Sequence, residues 1–125
     1  MERWGVAVGR ILQIRVSAWT YNEDEVVRAW PQLAELVWAQ LDRWGPVGLK
    51  HGVIELAEYL SDAIRFSDLS DEQKQRLDLC VQTVTTRLAE MRNALANWDP
   101  RTANALSEKL EDALTELEGQ LNGGK

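Results

Sequence analysis

The chain has 125 residues, 45% hydrophobic and 27% charged, a composition that excludes intrinsic disorder and a membrane-embedded class and suits one domain with one ordinary core. Its formal net charge of −6 opposes general nucleic-acid binding, because that affinity comes from lysine and arginine displacing counterions from phosphate. No run reaches the roughly 18 apolar residues of a spanning helix, no export pattern opens the chain, and the single cysteine, Cys80, cannot form an internal disulfide. A cytoplasmic protein is expected.

Residues 1–20 are rich in tryptophan and arginine: Arg3, Arg10 and Arg15 stand against Glu2 alone, while the stretch 21–62 is acidic. The spacing of Trp4, Val8, Ile11, Leu12, Val16 and Trp19 predicts a helix over 4–19. The alternation of Leu12, Ile14, Val16 and Ala18 fits a strand, but a lone strand has no pairing partner elsewhere in the chain.

Two helices are expected within 22–66. The first starts near Asn22, where Asn22 or Thr20 can cap and Glu23, Asp24 and Glu25 complement the helix dipole, and it runs to about Trp44. Pro31 predicts a kink or break at Trp30, because proline disfavours α geometry in the residue before it. The seam of this helix is Val26, Trp30, Leu33, Val37, Leu41 and Trp44, with Trp38 beside it. The tetrapeptide Glu2-Arg3-Trp4-Gly5 returns as Asp42-Arg43-Trp44-Gly45, but the following residues diverge and no internal repeat is read. The second helix fits Pro46 to about Phe66, with Leu49, Val53, Leu56, Leu60 and Ala63 on its seam.

A helical hairpin is expected over 70–121. Ser70 and Gln73 form a capping-box pattern, and Leu77, Val81, Val84, Leu88, Met91, Leu95 and Trp98 follow in steps of four and three. Asp99 can cap a further helix with Pro100 in its first turn, and Ala103, Leu106, Leu110, Ala113 and Leu117 continue the rhythm. The short connection folds these two helices back on each other. The fold class is therefore all-α: an antiparallel bundle of four to five helices with a long C-terminal helical hairpin.

Chemistry-bearing residues are few. His51, Glu55, Glu58 and Asp62 are spaced by four, three and four, which on one helix places an imidazole and three carboxylates on a single face able to hold a divalent cation. Glu55-Leu56-Ala57-Glu58 resembles the E-x-x-E motif of the all-α nucleotide pyrophosphohydrolases, a resemblance that implies Mg²⁺ binding and a phosphorylated substrate. It covers only these four residues, and the second acidic pair of that family is absent, since the next helix offers only Gln75 to Asp78. A solvated acidic face accounts for the same residues. His51 is the sole histidine, Cys80 adjoins an apolar seam where a thiol ionises poorly, and phosphate-cradling glycine loops and zinc-binding cysteine pairs are missing. No cofactor is expected.

Tryptophan is the strongest pointer. Five of the six lie in the first 44 residues, and tryptophan with arginine is enriched at the centres of protein interfaces. The expected function is a non-catalytic protein–protein interaction module that self-associates, as a homodimer, or docks a partner protein, with Trp4, Arg10, Arg15, Trp19 and Trp38 as contact residues. The bland reading is a fifth helix with these tryptophans in the core. The alternative function is a metal-dependent hydrolase built on His51, Glu55, Glu58 and Asp62. An interfacial membrane helix usually carries more basic residues than residues 3–19 hold.

Overall fold

A computed structural model describes residues 7–8, 13–14, 17–45 and 47–123. The fold is all-α, with five helices among the described residues: α1 (Glu23–Ala29), α2 (Pro31–Trp44), α3 (Val53–Arg65), α4 (Asp71–Ala96) and α5 (Pro100–Gly123). The helix expected over 4–19 is corrected at residues 7–8 and 13–14, and the expectation for 4–6, 9–12 and 15–16 lies outside the described residues. Two short strands, β1 (Ala7–Val8) and β2 (Gln13–Ile14), pair antiparallel with Ala7 opposite Ile14 and Val8 opposite Gln13. The segment supplies its own pairing partner, which removes the objection to a strand.

Asn22 caps α1 by accepting the Asp24 N–H at 3.0 Å, and three acidic residues fill the first turn. The break foreseen at Trp30 is present: its φ and ψ of −135° and 66° are non-helical, so Trp30 ends α1 while Pro31 opens α2. Gly45 ends α2 by turning extended, at ψ 173°, and glycine fits there because a Cβ would lie 2.8 Å from the Leu41 carbonyl oxygen.

The third helix begins at Val53, seven residues later than the sequence suggests. Gly48 sits at φ +80°, a left-handed conformation that glycine adopts freely and helices exclude, and Gly52 is extended. Leu49 and His51 therefore lie in a connection ahead of α3.

Ser70 Oγ accepts the Gln73 N–H at 3.1 Å and Gln73 Oε1 accepts the Ser70 N–H at 3.0 Å, completing the box that starts α4. At its other end the Asp99 N–H donates to the Ala94 carbonyl and the Trp98 N–H to the Leu95 carbonyl, closing a Schellman turn around Trp98 at φ +58°. Asp99 Oδ1 then accepts the Thr102 N–H at 3.1 Å, so a connection of three residues ends one long helix and caps the next.

The core takes its apolar side chains from all five helices. Leu77, Val81, Val84, Leu88 and Met91 of α4 meet Ala103, Leu110, Ala113, Leu114 and Leu117 of α5 in the most extensive contact of the molecule. Val26, Leu33 and Val37, with Leu56, Leu60 and Ile64, pack onto this hairpin. Trp44 and Trp98, assigned to seams by spacing, are exposed instead, because each stands where its helix ends and no facing helix continues to cover it.

Two helix starts are capped from far along the chain. Trp30 offers α2 no side-chain cap, and the carboxylate of Glu118 supplies one by accepting the N–H groups of Gln32 at 3.1 Å and Leu33 at 3.0 Å. Gly52 has no side chain to cap α3, and Thr20 Oγ1 accepts the Val53 N–H at 2.7 Å. Trp30 Nε1 also donates to Thr115 Oγ1 at 3.0 Å, and Gln32 donates to Asn122, so α5 holds the α1–α2 junction through one face.

Candidate functional site

Of the expected contact residues, Trp4, Arg10 and Arg15 lie outside those whose side chains the structure describes. Trp19 is 77% exposed. Trp38 is a correction. It is buried at 8% exposure with its ring stacked on His51 at a centroid distance of 4.3 Å, and its Nε1 finds no hydrogen-bond partner among the described residues. Its position beside the α2 seam turns it toward the connection before α3, which folds over it.

Spacing alone misses the most prominent surface feature, the pair Trp44 and Phe66. Trp44 is 83% exposed at the end of α2 and Phe66 is 71% exposed just past α3, and together they line two adjoining clefts of about 720 and 650 Å³. The first is completed by Leu41, Tyr59 and Ala63, and the second runs along Leu36, Ala39, Leu69 and Leu121. The two helix ends are tied by Gln40 Nε2, which donates to the Ala63 carbonyl at 2.6 Å. The Arg65 guanidinium lies over the Phe66 ring at 5.1 Å from its centroid and pairs with Asp62 at 2.6 Å. Lys74 Nζ donates to the Arg65 carbonyl at 2.8 Å, closing the α3–α4 corner behind it. Charges of both signs, Glu35, Arg43, Asp62 and Asp68, border the clefts. The sequence signal for this ridge is that both aromatics fall at helix ends, where a seam assignment loses its force.

The proposed metal face does not assemble. His51 precedes α3 and lies against Trp38, Glu58 binds Arg92 at 3.2 Å, and Asp62 pairs with Arg65, leaving Glu55 beside Gly52. Among the described residues no group of three or more histidine, cysteine, aspartate or glutamate side chains is gathered to hold a metal ion. Cys80 is half-buried, and burial first and the charge of Glu116 second push its thiol above the ordinary value, so it is a poor nucleophile at neutral pH. Among the described residues no helix is long and apolar enough to cross a membrane. No family model, no curated protein and no solved structure matches this chain.

Proposed function

We propose that this chain is a non-catalytic protein–protein interaction module of the cytoplasm, acting through the aromatic surface of its tryptophan-rich N-terminal third joined by Phe66. One observation carries the reading: Trp44 and Phe66 are both largely exposed and line the same two clefts. Contiguous exposed apolar surface of this kind marks interaction sites, and tryptophan is the residue most enriched at their energetic centres.

Self-association is the favoured form. Glu35 and Asp68 line the same cleft as Arg43, so the surface carries both signs of charge that a self-complementary two-fold contact needs. The test is absolute mass by light scattering across a wide concentration range, for the wild type and for Trp44→Ser with Phe66→Ser. A dimer that the double variant dissociates supports the reading. A wild type that stays monomeric at every concentration removes self-association and assigns the ridge to a different protein.

A further inference from the structure

A further cleft, of about 640 Å³, opens between the residues leading into α1 and the middle of α5. Trp19, Tyr21 and Trp30 contribute aromatic walls, Ile54 and Leu110 an apolar lining, and Glu25, Glu111 and Asp112 carboxylates. Its volume is that of a ligand site rather than of a packing defect. None of the described residues lining it is lysine, arginine or histidine.

Among the described residues the negative charge here is only partly compensated. Glu25 has a partner in Arg28 at 3.4 Å, but neither Glu111 nor Asp112 forms an ion pair with a described residue. Asp112 also borders the neighbouring cleft that holds Arg87 and Lys109, and Arg87 is engaged by Glu90 at 2.9 Å. Burial, then Asp112, then Glu108 raise the proton affinity of Glu111. Tyr21 is 98% exposed and Trp19 77%, leaving both rings open to an incoming group.

We propose that this cleft receives an arginine or lysine side chain from a basic segment of a partner polypeptide, its aliphatic stem against Trp19 and Tyr21 and its charged head on Glu111. The chemistry fits on both counts: long cationic side chains bury their stems on apolar surface while aromatic faces and carboxylates hold the head. Complementary charge also selects the partner and speeds its approach to an acidic chain. The site is independent of the Trp44–Phe66 ridge and does not require self-association.

The test is calorimetric titration of the full chain at low salt with a short synthetic peptide in which arginine alternates with serine, and with the glutamate counterpart as control. We expect saturable binding of the arginine peptide alone, weakened about tenfold by Glu111→Gln, as befits loss of a charge-assisted contact. Tyr21→Ala weakens it several-fold, while Glu72→Gln in the first turn of α4 leaves it unchanged. Thermal melts establish that each variant is folded. Absence of heat at low salt overturns the proposal, as do equal losses from Glu72→Gln and Glu111→Gln, which would reduce it to general attraction. Tighter binding by a chain carrying Arg10→Glu and Arg15→Glu would show the chain's own basic stretch to be the occupant and would overturn the assignment to a partner.

Discussion

Glu118, about two turns after Leu110 in α5, accepts the backbone N–H of Leu33 at 3.0 Å although 85 residues separate the two in the chain. The same carboxylate accepts the Gln32 N–H, and Pro31 has no N–H, so one buried side chain satisfies the donors that Trp30 leaves open at the start of α2. The negative charge also meets the positive end of the helix dipole. Glu118→Ala leaves two donors without an acceptor and should cost about 2–4 kcal/mol in urea denaturation, with Glu118→Gln losing about half as much. A loss below about 0.5 kcal/mol for the alanine variant, the level of an ordinary surface change, would show that the carboxylate does not cap α2.

Thr20 and Gly52 form a second long-range cap. Thr20→Ala should cost about 1 kcal/mol, the usual worth of a helix cap. A Cβ at Gly52 would lie 2.5 Å from Thr20 Oγ1 and 3.1 Å from its Cβ, so Gly52→Ala must displace the cap as well. The two losses should therefore be less than additive when combined, which a double-mutant cycle reads directly. Strict additivity would mean that the threonine and the glycine do not share one contact.

Trp98 carries a strain that can be measured. At φ +58° an L-residue is held in a left-handed conformation that costs about 1–2 kcal/mol and that glycine adopts freely. Comparing Trp98→Gly with Trp98→Ala removes the indole from both sides, and the glycine variant should be the more stable by about 1 kcal/mol. Equal stability would place the turn outside the left-handed region.

Glu111 should work against the fold at neutral pH. Burial and the charges of Asp112 and Glu108 raise its folded-state value above the unfolded one, so the folded chain holds the proton more tightly. The stabilising contribution of the protonated form is complete below the unfolded value and is lost as pH rises through the folded one. Glu111→Gln should accordingly melt higher than the wild type at pH 7, with the difference vanishing below about pH 4. A variant that melts lower at pH 7 would contradict the raised value.

Cys80 offers a chemical probe of the same hairpin. Its thiol is raised by burial and by Glu116, so alkylation at pH 8 should be slower than that of a free thiol, and Glu116→Gln should speed it without changing the melting temperature greatly. Unchanged reactivity in the variant would remove the electrostatic part of the effect.

The amino-acid sequence by itself determined the all-α class, the break at Trp30 before Pro31, the Ser70–Gln73 capping box and the seams of the C-terminal hairpin. These follow from neighbours within a turn or two, where hydrogen-bond offsets and the periodicity of side chains act locally. The start of α3 was not legible, because the preference of Gly48 for a left-handed conformation appears only once the chain must turn there. Nor were the strand pairing of Ala7–Val8 with Gln13–Ile14, the burial of Trp38 on His51 or the exposure of Trp44. Each of these depends on what another part of the chain brings alongside. Glu118 and Thr20 show the same limit: only the tertiary structure puts an acceptor against a helix start whose own cap residue has none, and a long-range cap leaves no spacing in sequence to read.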